Sequence, residues 1–364
     1  AWAADTLDEA QATAQEGNNT TGEGTQENPW DISAEGEGND VTAYLTVNNN
    51  HAENPTYTLT IFGSGAMADY ETKGTPWYND RGSITKIILP EGLTRIGKSA
   101  FLQTAITEIK IPDTVTSIGQ NAFWNCNKIV TEIPASVTEL GETAFFGTFN
   151  VTVAANNPSY SAVGKIIYDK NQTKLIQASQ DIEGSLLIPE TVEEIGAFAF
   201  YGCSNVSGEL VIPDSVQIIG HAAFYGTGIT SLKLGTNVQT IDDSAFQSCT
   251  SLAGELTIPD SVQTIGKNAF AKASNSDNKN KISAITLGSG VKSVGDSAFL
   301  GCSSVTSLTM REGLESIGQY AFEDLSALSG DLNIPSTVTT IGNYAFWGCT
   351  GLNGTLTIGG ELKS

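Results

Sequence analysis

Few side chains in this sequence could carry acid–base, metal or thiol chemistry. The candidates are two histidines, His51 and His221, and five cysteines, Cys126, Cys203, Cys249, Cys302 and Cys349. Zinc sites draw on closely spaced pairs such as His-x-x-x-His or Cys-x-x-Cys, and neither pattern occurs. His51 lies in a polar turn between Asn48-Asn49-Asn50 and Asn54-Pro55. His221 follows Ile219-Gly220 at a variable position. Both read as ordinary surface residues. Gly63-x-Gly65 lacks the third glycine and the following helix of a phosphate-binding loop. No Gly-x-Ser-x-Gly elbow is present. With 40 acids, carboxylate pairs are unavoidable, but no pattern marks one as an acid–base couple. The expectation is no catalytic residue, no metal ligand and no cofactor. An enzyme acting on carbohydrate would need a convergent acid pair in a deep pocket.

The cysteines do share a phase, and it leads to the elements that must position them. Each lies three residues after a phenylalanine of the pattern Val/Leu-x-x-Ile-Gly-x-x-Ala-Phe. That pattern occurs ten times, from Leu93–Phe101 to Val338–Phe346, with Asp242 once in place of Gly. The ten phenylalanines are Phe101, Phe123, Phe145, Phe200, Phe224, Phe246, Phe270, Phe299, Phe322 and Phe346. Their spacing is 22 to 29 residues, except for one gap of 55. A period in the twenties is that of a leucine-rich solenoid. In the copies without cysteine, the slot holds Thr104, Thr148, Thr227, Ala273 and Leu325, as a buried turn would want. Cysteine never fills it in two consecutive copies. Cysteines two coils apart would be separated by about 10 Å, too far for a disulfide. Buried, reduced thiols are expected.

One unit reads directly. Ile109-Lys-Ile111-Pro112 is a short strand that Pro112 ends, because proline cannot donate to a ladder. Val115 and Ile118 return inward, Gly119 permits a bend or close approach, and Ala122-Phe123 sits on a short helix or tight helical turn. A single unit cannot bury its apolar side, so the units must stack into a quasi-one-dimensional core with phenylalanine as its spine.

Composition limits the partners. The chain has 364 residues, 40 acids against 18 bases and a net charge of −22. That excludes a nucleic-acid backbone and a polybasic membrane surface as partners. No apolar run approaches the roughly 18 residues of a spanning helix. The first base is Lys73, and thirteen acids precede it.

The recurrent Leu/Ile-x-Ile-Pro-x-x-Val-x-x-Ile-Gly-x-x-Ala-Phe-x-x-Cys resembles the BspA-like leucine-rich repeat of bacterial surface proteins. The resemblance covers about residues 84–364. It implies a right-handed leucine-rich-repeat solenoid of short parallel strands and short helical turns. It also implies export, cell-surface display and a part in adhesion or host contact, and it brings no catalytic residues. Residues 1–29 read as a disordered acidic leader. Its opening Ala1-Trp2-Ala3-Ala4 fits the end of a secretion signal and equally a chance alanine-rich start. Residues 30–83 carry two alternating strands, Val41–Val47 and Tyr57–Ile61, and resemble the β cap that precedes such arrays. Residues 149–187 form a hairpin-bearing unit inside the 84–364 solenoid, and 271–281 a solvated loop. The last residues, Leu356–Ile358, match the opening strand of a further coil. Either the protein continues past Ser364 or this edge makes an end-to-end contact with a second molecule.

Two columns of side chains are candidate binding sites. Trp124, Phe146, Tyr201 and Tyr225 follow the phenylalanine in consecutive copies. Rigid aromatics of this kind suit protein hot spots or sugar stacking, and equally the bracing of neighbouring coils. Glu108, Glu132, Glu209, Glu255 and Asp331 precede the strand core, on the exposed face expected to be concave. Adjacent like charges repel, so such a stripe suits a basic partner or divalent cations, and equally simple solubility and edge protection. The resulting expectation is an extracellular binding protein, an adhesin or an interaction module for host or bacterial proteins or glycans. A surface spacer is the alternative.

Overall fold

The computed structural model describes residues 22–36, 38–49, 53–272 and 280–362. Residues 1–21 of the expected leader, His51 and positions 273–279 of the polar insertion lie outside the described residues.

Strands β1 (Trp30–Asp31), β2 (Asp40–Val47) and β3 (Tyr57–Ala66) pair antiparallel. β3 has ten residues, enough to pair in parallel with both β4 (Ile84–Ile88) and β5 (Gly92–Ile96), which open the array. Residues 22–29 also belong to this end, for the Gly24 carbonyl accepts the Leu45 N–H at 3.1 Å. Trp77 lies over the first phenylalanine, Phe101, with ring centroids 6.3 Å apart. Its indole N–H donates to the Ala100 carbonyl at 3.0 Å.

From here the chain is a repeat solenoid with two rows of short parallel strands. One row precedes the prolines and includes β7 (Val130–Ile133) and β9 (Asn150–Val153). The other carries the Ile-Gly segments. It includes β6 (Ser117–Ile118) and β8 (Glu139–Leu140), and later runs from Glu194–Ile195 to Thr340–Ile341. Leu, Ile and Val alternate inward in both rows and bury their side chains. Stacked coils of about 4.8 Å spacing bring the phenylalanine rings to centroid distances of 5.1 to 5.4 Å. Truncating one such ring removes the large apolar filling of a whole layer.

The Ala-Phe segment, expected as a short helix or tight helical turn, is a chain of turns. Among the described residues the one helix is the 3₁₀ segment Tyr78–Ser83. In all ten copies the residue two before the phenylalanine has positive φ, from Ser99 to Tyr344, which interrupts a right-handed helix. The conformation turns alternate N–H groups toward the next coil. Ser99, Phe101 and Gln103 donate to the carbonyls of Gln120, Ala122 and Trp124 at 2.9, 2.8 and 2.6 Å. The intervening N–H groups close turns within the coil, such as Thr104 to Phe101. Inter-coil pairing therefore prevails over local helix formation.

The hairpin-bearing unit inserts β10 (Tyr160–Val163) and β11 (Ile166–Asp169) before β12 (Lys174–Ala178). Ala178 takes the phenylalanine's place in the turn ladder, donating to the Ala199 carbonyl at 2.7 Å. Buried Tyr168 and Ile166 from β11 fill part of the missing layer. The unit also divides the core. One apolar cluster runs from Ile32 to Phe145 with Ile167, and the other from Ile166 to Ala345. At the far end Leu356–Ile358 pairs in parallel with Leu332–Ile334.

Candidate functional site

The exposed face of the proline-ended strands holds the acidic candidates. Glu108, Glu132, Glu209, Glu255 and Asp331 are all exposed there. Their register differs from the expected single column. Glu108 bridges to Val130, not to Glu132, so Glu132 stands two residues further along its strand. Counting back from Pro134 rather than between acids reveals the offset. The acids are also not stacked on one another. Glu132 faces Thr152, Glu209 faces Ser231, and Glu255 faces Ala284. The anticipated repulsion between adjacent strands is absent at these pairs.

Four of these acids are free, whereas several carboxylates elsewhere staple one coil to the next. Asp214 accepts the Thr236 N–H at 2.7 Å, Asp260 the Ser289 N–H at 2.7 Å, and Asp296 the Gln319 N–H at 2.8 Å. Glu312 accepts both the N–H and the hydroxyl of Ser336. The backbone N–H bonds hold Asp214, Asp260 and Glu312 below the usual carboxylate range. Asp331 is used in the same way, on the Thr355 N–H at 2.7 Å. Among the described residues Glu108, Glu132, Glu209 and Glu255 make no side-chain hydrogen bond or ion pair.

Two open clefts lie along this face, neither of them legible in the sequence. The larger, of about 1000 Å³, runs between β7, β9 and the tip of the β10–β11 hairpin, and includes Glu108 and Glu132. The smaller, of about 610 Å³, includes Lys233, Glu255, Asp260 and Arg311. Glu209, Asp331 and the four aromatic candidates line neither. The face also exposes apolar residues that the sequence reading passed over. Leu187 is 88% exposed and Val130 51%. Their signal was the position two or four residues before the strand-ending proline or its equivalent.

The aromatic column lies largely inside. Trp124 and Phe146 are each only 7% exposed and cluster with Leu102. Their rings meet edge-on at 5.0 Å, and Phe146 meets Tyr201 at 5.3 Å, so the column continues past the hairpin unit. Tyr201 and Tyr225 are half-buried and stacked at 4.5 Å, 7° from parallel. Burial, with a smaller contribution from Tyr225, pushes the Tyr201 hydroxyl up to about 12.

All five cysteines are free thiols; four are buried and Cys349 is half-buried. Cys126 donates to the Phe101 carbonyl of the preceding coil at 3.0 Å, and Cys249 to that of Phe224 at 3.1 Å. In the coils between, Thr104 and Thr227 donate to the same carbonyls. Burial pushes Cys126 and Cys249 up to about 11, and Cys203 and Cys302 to about 12. His221 is exposed, edge-on to Phe198 at 5.0 Å. Among the described residues no group of three His, Cys, Asp or Glu is placed to hold a metal ion, and no helix is long and apolar enough to cross a membrane.

The BspA type leucine rich repeat region matches the chain over residues 74–183, 178–279 and 276–356, in six copies. Among solved structures, a leucine-rich repeat protein from Eubacterium ventriosum is similar, with 24% identity and a TM-score of 0.61. That match covers 85% of this chain and 92% of that one. The pneumococcal vaccine antigen PcpA is also similar, with 18% identity and a TM-score of 0.51, over 90% of this chain and 98% of that one. These likenesses bear on the fold. No curated protein sequence matches the chain.

Proposed function

The chain belongs to the BspA-type leucine-rich-repeat family, and on that footing we propose that it is a non-catalytic, extracellular binding module displayed on a bacterial cell surface. Its partners are host or bacterial proteins or glycans, which makes it an adhesin or a related interaction protein. One observation carries the reading. Loop carboxylates such as Asp214, Asp260 and Glu312 are bonded to neighbouring coils, whereas Glu108, Glu132, Glu209 and Glu255 stand unbonded together on one exposed face beside two open clefts. Unpaired charges also serve solubility, but a solenoid whose only task was to stack would gain nothing from Leu187, exposed on the same face. The likeness to a protein named as a vaccine antigen supports surface display.

The test is capture on an array of extracellular matrix proteins and glycans by the purified chain, alongside E108K/E132K and E255K variants. Loss of capture with unchanged melting is the expected result. Failure of the parent chain to capture anything would leave a surface spacer as the better reading.

A further inference from the structure

Resting on that reading, we propose that the larger cleft takes an extended, Lys- or Arg-bearing polypeptide segment, which adds to β9 as a further strand. β9 is the last strand of a two-stranded sheet. Ala154, just past β9, donates its N–H to the Ile133 carbonyl of β7 at 3.0 Å. In a parallel ladder the groups of alternate residues point to opposite sides. Asn150 and Thr152 therefore share the direction of Ala154, and Val151 and Val153 turn their N–H and C=O away from β7. Among the described residues no further strand pairs with that edge. The hairpin tip, with Ala162, Gly164 and Lys165, forms the other wall of the cleft. An unpaired edge beside an open cleft is the geometry of strand addition, in which main-chain bonds supply affinity and alternate side chains supply specificity.

Charge identifies the occupant. Two lysines line the cleft, and both are already paired: Lys110 with Glu91 at 3.4 Å and Lys165 with Asp181 at 2.6 Å. The acids there, Glu108, Asp113 and Glu132, have no cationic partner among the described residues. The residual charge is negative, in a molecule of net charge −22, so a cationic strand is drawn in and an acidic one repelled. Glu132 and exposed Val130 stand on β7, two strand spacings of about 4.8 Å from the added strand and within reach of a long basic side chain, and Glu108 one strand further adds to the negative field. A neutral glycan bonds to carboxylates and backbone groups through hydroxyls but brings neither a positive charge nor the regular spacing of a paired strand.

The probe is a synthetic dodecapeptide alternating Lys with Val or Thr. It is compared with its Glu-for-Lys counterpart and with a copy N-methylated on alternate residues. Binding is followed by fluorescence anisotropy at low salt, with E108Q/E132Q and the control E190Q/E193Q, whose changes lie outside the cleft. The Lys peptide should bind. E108Q/E132Q should weaken it about tenfold, while the control variant, the Glu peptide and the methylated copy separate charge from strand pairing. Equal loss in both variants, equal binding of the Glu peptide, or equal binding of the methylated copy each overturns the proposal. The methylated probe leaves the protein untouched, so no folding defect can mimic the result. If array capture survives in E108Q/E132Q, this cleft is refuted while the binding-module reading stands.

Discussion

A thiol that donates to a carbonyl inside a packed turn is costly to ionise. Thiol reagent at neutral pH should leave Cys126, Cys249 and Cys302 unmodified in the native protein and react with five groups after denaturation, read by mass spectrometry. Intramolecular disulfides would contradict this. The pH dependence follows from the same burial. The folded thiols titrate above their unfolded value of about 8.5, so their contribution is complete below that pH and is lost as pH rises toward 11–12. Melting temperature should fall in that window. Trp124 tests the aromatic column at the same scale. As a buried ring it should cost about 3–5 kcal/mol when changed to Ala, seen as a lower midpoint in denaturant. Unchanged stability with lost binding would return the column to the surface role. The cysteine phase was legible because each residue sits at a fixed distance from a phenylalanine. The offset of Glu132 was not, because acids were aligned with acids instead of with the proline that ends each strand.

Elements depend on contacts between coils more than on propensity. The Ala-Phe segment shows it best. Its residues permit a helical turn, yet the neighbouring coils demand donors at alternate positions, and a non-helical turn supplies them. Composition alone contains no trace of that demand, whereas the strands before each proline were readable from alternation and the strand, turn and strand of 164–176 from two apolar runs around a polar turn; the extra strand at 160–163 was not. Gly119 marks one of the places where coils touch closely. A Cβ there would lie 2.5 Å from the Lys98 nitrogen. Gly119→Val should therefore destabilise by about 1–3 kcal/mol through backbone displacement, measured by thermal melting. The carboxylate staples give a second test. Asp214, Asp260 and Glu312 titrate below their unfolded values of about 4, so their help is present above that pH and fades as pH falls through the lower folded values. Melting should drop on acidification below pH 4, less steeply in Glu312→Gln. A flat profile would show the staples to be inert.

At the scale of the whole molecule, the hairpin unit is a seam. Phe145 stacks on Phe123, but its spine does not continue to Phe200, and the apolar cluster changes there. Phe123→Ala should cost about 3–5 kcal/mol within the first cluster. Hydrogen exchange should then quicken in β6 to β8 while the strands from Thr240 to Ile341 keep their protection. Uniform loss of protection would mean a single cooperative array. That the chain is a stacked solenoid was evident from ten in-phase copies. That it divides in two was not, because the gap of 55 residues says only that something is inserted, not that it takes the ring's place with Ala178.

The one-way bonds of the turns have an electrical consequence. Each peptide unit carries a dipole of about 3.5 D. Along the Ala-Phe row the inter-coil N–H groups all point toward the C-terminal coils, so these dipoles add instead of cancelling as they do between antiparallel strands. The carbonyl end of the row faces the N-terminal part of the chain, which holds thirteen acids before its first base. In the Ile-Gly row the N–H groups of Thr116, Gly119 and Gly141 point the other way, to carbonyls of the preceding coil, so the backbone dipoles of the two rows oppose one another. Orientation is therefore left to the side chains: at low ionic strength the acid-rich beginning of the chain is turned away from an anionic surface, and salt that shortens the screening length abolishes the preference.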